Sequence, residues 1–93
     1  MPIQYSPSAL SILTLLNNAS ELIVRCNKRK EAQDVMRAIE LYAKSKRYTL
    51  PDNKIESFHS ILIDARPNTL QDLIYSIAGD IITAENNKRK KTV

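Results

Sequence analysis

The chain predicts an all-α fold, an antiparallel up-down four-helix bundle with a disordered basic C-terminal tail. Apolar residues recur on a helical period in four separate stretches of the 93 residues, and short polar turns divide those stretches. The clearest stripe, Leu70, Leu73, Ile74, Ile77, Ala78, Ile81 and Ile82, follows the i, i+3, i+4, i+7 rule almost without exception. With one Gly and no Trp the sequence is also poor in turn formers, which disfavours an all-β design needing a turn every ten residues or so.

Each element has its own signals. Ser6 before Pro7 reads as an N-cap with proline at the first helical position, where its missing N–H costs nothing. Helix one is expected over about 7–27, with the stripe Ala9, Leu10, Leu13, Leu16, Ala19, Ile23 and Cys26, and with Ile12, Leu15 and Leu22 widening it. Asn17-Asn18-Ala19-Ser20 contains weak helix formers, but the stripe keeps phase across it and predicts continuity. Asn27 and the basic cluster Lys28-Arg29-Lys30 form the first turn. Helix two follows over about 29–46 on Ala32, Val35, Met36, Ile39, Tyr42 and Ala43, with Lys44, Lys46 and Arg47 at the negative end of its dipole.

Helix three is expected over about 51–64, opened by a capping box of Thr49 with Asp52 or Asn53 with Glu56. It carries Ile55, Phe58, His59 and Leu62 on one face with Ile61 beside them, and it stops before Pro67, because the residue preceding proline avoids the α region. Asn68 with Gln71, or Thr69 with Asp72, caps helix four over about 69–85, where the lone Gly79 suggests a close approach between helices. Residues 87–93 lack a stripe and are expected to be a flexible tail. Connections this short favour antiparallel neighbours and one domain over residues 1–86.

Composition and residue types narrow the function. At 93 residues the chain holds one core and no deep cleft. Cys26 is the only cysteine, so no internal disulfide forms and the chain fits a reducing, cytoplasmic setting. The uncharged run over 4–20 is striped and broken by polar residues, unlike a membrane span, and no basic leader precedes it. One His, His59, and one Cys give no cluster of metal ligands. The carboxylates are spread singly and a Gly-rich phosphate loop is impossible, so the expectation is no cofactor, no metal, no catalytic residue and no enzyme.

Charge placement points to binding. The net charge of +4 equals that of the tail cations Lys88, Arg89, Lys90 and Lys91, leaving a neutral body. Within the body, residues 25–47 are mainly basic and residues 48–86 mainly acidic. The plain explanation is solvated faces pairing neighbouring helices weakly. The functional one is a pole: in an antiparallel bundle the tail falls at the same end as Lys44, Lys46 and Arg47, where it could meet phosphates, anionic lipid heads or an acidic protein surface. Tyr48 and Tyr75 lie off the apolar stripes and are expected to anchor an interface. Insertion of helix four into a DNA groove is disfavoured by its acidic balance.

Residues 35–82 resemble the immunity proteins of the class IIa, pediocin-like, bacteriocins. The resemblance lies in a second helix ending in Leu41-Tyr42-Ala43-Lys44, the Tyr48-Thr49-Leu50-Pro51 connection and a closing helix with Leu70-Gln71-Asp72-Leu73-Ile74-Tyr75-Ser76-Ile77-Ala78-Gly79. It covers about half the chain and involves no single diagnostic motif. The resemblance implies a protein that protects its producer by recognising a bacteriocin-bound membrane receptor, with specificity in the C-terminal half. The leading expectation is therefore a non-enzymatic helical binding protein, of immunity or regulatory type, that acts on a protein partner such as a toxin, receptor or host enzyme. The alternative is a phage- or plasmid-type accessory protein that inhibits or modulates a host nucleic-acid enzyme, its basic tail contacting phosphate or an acidic groove. A third is a module whose apolar face is completed only by a second copy.

Overall fold

The computed structural model describes residues 5–50 and 54–91. They form four helices and, among the described residues, no strand: α1 (Pro7–Val24), α2 (Arg29–Ser45), α3 (Lys54–Ile61) and α4 (Pro67–Lys91). Helix α1 packs on both α2 and α4, and α3 packs on α4, giving the expected bundle.

The start of α1 follows the local rule. Ser6 has extended backbone, its hydroxyl accepts a hydrogen bond from the Ala9 N–H at 3.2 Å, and Pro7 occupies the first turn. The helix then runs unbroken through Asn17–Ser20, which the phase of Ile12, Leu16, Ala19 and Ile23 requires, since all four are buried. It ends at Val24, earlier than the expected 27. Asn27 adopts a left-handed backbone with φ 51°, a conformation asparagine tolerates better than most residues. That turn brings the Lys28 N–H within 2.9 Å of the Leu22 carbonyl, and Cys26, assigned to the stripe, lies exposed in it.

Helix α2 buries Ala32, Met36, Ile39 and Ala43, with Val35 and Tyr42 packed against the core's edge. Its C-terminus is closed by Arg47 at φ 54°, after which the Tyr48 N–H reaches back to the Ala43 carbonyl at 2.8 Å. A left-handed residue followed by this return bond is a Schellman-type stop, and its position is usually glycine's.

Helix α3 is shorter than the expected 51–64, ending at Ile61. Residues 51–53 lie outside those described, and with them the Asp52 and Asn53 halves of both capping boxes. The C-terminal shortening has a visible cause on α2. The Arg29 guanidinium donates to the Leu62 and Ala65 carbonyls at 2.6 Å each, satisfying carbonyls just past the helix and holding the turn against the start of α2. Two further contacts fix the flanks of α3. Lys54 Nζ lies 2.6 Å from Asp80 on α4, and His59 Nε2 lies 2.9 Å from Glu40 on α2.

Helix α4 begins at Pro67 rather than 69, because proline is suited to the first helical position. It reaches Lys91 rather than 85, so the expectation of a structureless tail from 87 gives way to helical backbone through 91; Thr92 and Val93 lie outside the described residues. Nothing in Asn86-Asn87-Lys88-Arg89-Lys90-Lys91 stops a helix, there being neither Gly nor Pro. Cations near a helix C-terminus also complement its dipole.

One core joins the four helices, built on Ile12, Leu16, Ile23, Met36, Ile39, Phe58, Leu70, Ile74, Ile77 and Ile81, all essentially inaccessible. Two stripe assignments shift: Leu10 is 50% exposed and Ile82 36%, at the margins of their helices' buried faces. Gly79 also differs from expectation. A Cβ there meets nothing within 4 Å, so it marks no close approach between helices. Gly79→Ala is therefore expected to raise stability by about 0.5–1 kcal/mol through helix propensity alone, read as a higher urea midpoint at unchanged m.

Candidate functional site

The most informative surface lies where the N-terminus of α1, the C-terminus of α2 and the C-terminal part of α4 converge. A groove of about 480 Å³ there is lined by Ser6, Ser8, Lys46, Arg47, Tyr48, Thr49, Leu50 and Ala84. Next to Ala84, Glu85 is 5% exposed and follows Leu70, Ile74, Ile77 and Ile81 on the inward stripe of α4, where it meets two residues of the groove lining, Ser6 and Tyr48. The carboxylate accepts a hydrogen bond from the Ser6 N–H at 2.9 Å. In a capping box that acceptor is a Glu three residues into the same helix; here the third position is Ala9, and α4 supplies the carboxylate from 79 residues away. The positive end of the α1 dipole further favours a carboxylate at this place.

Tyr48 is the second partner of Glu85. Its phenol is half-buried and packed against the core, and its pKa is raised, first by burial, then by the Glu85 charge and by its hydrogen bond to that carboxylate. The unfolded phenol ionises near its ordinary value of about 10, while the folded one keeps its proton to higher pH. Between those two points the folded state holds the extra proton, so this contribution is intact below pH about 10 and is lost as pH climbs through the folded pKa. Stability is expected to fall more steeply above pH about 10 in the parent than in Tyr48→Phe, measured by urea unfolding across the alkaline range.

The expected site residues divide. Lys46, Arg47 and Tyr48 line the groove together, and Lys46 sits 6.0 Å from the centre of the Tyr42 ring. The α4 backbone passes the groove at Ala84 and continues as helix through Lys91, about 10 Å further along its axis; the side chains of Lys88, Arg89, Lys90 and Lys91 lie outside those described. Lys44 is exposed on the last turn of α2 but does not line the groove. Tyr75 is 54% exposed and lies about 15 Å along α4 from Glu85, with its hydroxyl accepting from the Gln71 amide at 3.1 Å. Tyr48 is a partner of the buried carboxylate more than a free-standing anchor.

The sequence analysis counts Glu85 only in the acidic balance of residues 48–86 and misses its role. The available signal was its spacing four residues beyond Ile81, in phase with the stripe. Among the described residues the ion pairs between α2, α3 and α4 are not α2 cations with α3 and α4 acids but Lys54–Asp80 and His59–Glu40.

No protein-family model, no curated protein and no solved structure matches the chain. Among the described residues no three His, Cys, Asp or Glu side chains gather where they could hold a metal ion, and no helix is long and apolar enough to cross a membrane. What the groove offers chemically is two exposed cations, hydroxyls of Ser6, Ser8 and Thr49, and an apolar wall from Leu50 and Ala84. Such a lining suits a carboxylate or phosphate attached to a larger body.

Proposed function

We propose that this is a cytoplasmic, non-enzymatic helical binding protein of immunity or small regulatory type, which recognises an acidic segment of a protein partner at the groove between α1, α2 and α4. The observation that carries the reading is Arg47. It occupies a left-handed position, at φ 54°, where glycine would relieve roughly 1–2 kcal/mol of steric cost, yet it places a guanidinium at the groove. Backbone strain kept at a charged groove residue points to use of that residue. The immunity-type assignment rests on the resemblance of residues 35–82 to the class IIa family.

Arg47→Gly separates the two roles. It is expected to stabilise the fold by about 0.5–1 kcal/mol, the relieved strain exceeding the extra chain entropy of glycine, while weakening partner recognition. The functional measurement is growth of a bacteriocin-sensitive bacterium that expresses the chain, challenged with a panel of class IIa peptides. Protection by the parent and its reduction in Arg47→Gly support the proposal. No protection across the panel removes the immunity assignment, and full protection by Arg47→Gly removes the groove.

The helical backbone through Lys91 favours one second reading, contact of the 88–91 cations with nucleic-acid phosphate. A duplex-DNA gel shift that needs residues 88–91 and fades with added salt supports it. An absent shift at low salt rejects it.

A further inference from the structure

Ion pairing divides the cations of the body into two groups. Among the described residues, Arg25, Lys28 and Lys54 each meet a carboxylate, and Arg29 is taken up by the Leu62 and Ala65 carbonyls. Lys30, Arg37 and Lys44 of α2 are exposed and meet no carboxylate. The α2 acids Glu31 and Glu40 are engaged by Lys28 and His59, which leaves Asp34 as the free carboxylate of that helix. The outer side of α2 therefore keeps three unmatched cations against a single unmatched acid.

Their spacing is regular. Lys30, Arg37 and Lys44 lie seven residues apart, a step of about 10.5 Å that turns only about 20° around the helix axis. They form a nearly straight row about 21 Å long, turned away from the buried Ala32, Met36, Ile39 and Ala43. Asp34 stands between Lys30 and Arg37, and Leu41, 69% exposed, stands between Arg37 and Lys44. The exposed Ala38 and Ser45 lie beside them, so this flank of the row is low enough for another helix to come close.

We propose that this face is a second docking surface, separate from the groove, whose partner is an acidic amphipathic helix of another protein laid along α2. Three features of the row select that occupant. A helix repeats its side chains at the same seven-residue step and with the same drift, so its carboxylates stay in register with all three cations. Asp34 is the second feature. A phosphate backbone or an anionic bilayer is negative throughout and meets this carboxylate with repulsion, whereas a helix places a lysine opposite it. Leu41 is the third, because an exposed leucine gains apolar contact from a protein side chain and none from phosphate. A second copy of the chain does not supply the partner: no two of its acids are seven residues apart, and its own α2 repels the row. One helix over about 21 Å covers less than a standard interface, so the complex is weak and screened by salt.

Fluorescence anisotropy with labelled synthetic helices tests the surface. The probe is an alanine-rich peptide with glutamates on the seven-residue repeat, a lysine placed to meet Asp34 and a leucine placed to meet Leu41, made in both sequence directions. The expected result is saturable binding at low ionic strength with a dissociation constant of about 10–100 μM, weakened at least about tenfold by Arg37→Glu, by Lys44→Glu and by scrambling the peptide. A central proline, which breaks the peptide helix, is expected to weaken it as much. Both substituted side chains are exposed, and a melting curve for each variant verifies that the fold persists. Absent binding, equal affinity for the scrambled or proline peptide, or indifference to both substitutions overturns the proposal. Duplex DNA or phosphatidylserine vesicles that bind more tightly than the peptide, and lose that binding in Arg37→Glu, overturn it by making the occupant a polyanion. Arg47→Gly is expected to leave peptide binding unchanged; a loss there moves the peptide to the groove and removes the second surface. The protection assay reads the groove alone, so the two readings fail separately.

Discussion

Phe58→Ala is expected to cost about 3–5 kcal/mol and to free α3 from the bundle before the other helices unfold. Phe58 is fully inaccessible and is the largest core side chain on α3, a helix of only 8 residues. A helix that short has no independent stability, since nucleation alone outweighs the few hydrogen bonds it closes. What holds it is the burial of Phe58 with Ile55 and the neighbouring Leu62, supplemented by Lys54–Asp80 and His59–Glu40. Those two pairs are partly exposed and contribute at most about 1 kcal/mol each. With a total stability of about 5–15 kcal/mol for a domain of this kind, losing Phe58 removes a large share. Urea unfolding should show the lower midpoint, and native-state hydrogen exchange should show α3 amides opening at lower free energy than those of α1. Ile63→Ala, at a residue 86% exposed, is the control expected to do little. A Phe58→Ala loss below about 1 kcal/mol would mean that the site collapses onto its neighbours and that α3 is held by its polar contacts.

The contrast between α3 and the longer helices shows where the sequence was legible. The existence and phase of α1, α2 and α4 were readable because each sustains an apolar period over many turns, so that errors at single positions such as Leu10 or Cys26 do not shift the stripe. Ser6-Pro7 was readable because a cap and its acceptor are neighbours in sequence. Ends set by distant groups were not. The turn after α3 is held by Arg29 from another helix, and nothing in the local sequence announces that a member of the Lys28-Arg29-Lys30 cluster is occupied by carbonyls. The left-handed Arg47 was equally hidden, because only glycine advertises that conformation. Of the candidate site, the approach of α4 at Ala84 to Lys46 and Arg47 at the end of α2 followed from antiparallel connectivity. The buried carboxylate beneath it did not, because a glutamate on a stripe is normally read as the stripe's end.

Glu85→Ala is the second large effect, expected to cost about 2–4 kcal/mol. A carboxylate at 5% exposure persists only if its oxygens are matched by donors, and here the Ser6 N–H and the Tyr48 hydroxyl are two of them. Alanine removes the acceptor and leaves a helix-capping N–H and a half-buried phenol to find replacements, which costs more than the hydrogen bonds themselves returned. Glu85→Gln keeps an acceptor oxygen while removing the charge that faces the α1 dipole, so its loss should be about half as large. Both variants are also expected to differ from the parent at high pH. Glu85→Ala removes two of the three causes that raise the Tyr48 pKa, the charge and the hydrogen bond, whereas Glu85→Gln removes the charge and keeps an acceptor, so the extra alkaline destabilisation should shrink in both variants and more in alanine. Unfolding by urea at neutral and at alkaline pH, for parent, Glu85→Gln and Glu85→Ala, separates these effects. Equal stability of all three at neutral pH would show that α1 and α4 are joined by their apolar stripes alone and that the carboxylate is incidental to the pole. The expected ordering, with alanine least stable, makes Glu85 the tie that holds the N-terminus of α1 to α4 and so keeps Ser6 and Ser8 opposite Lys46 and Arg47 across the groove.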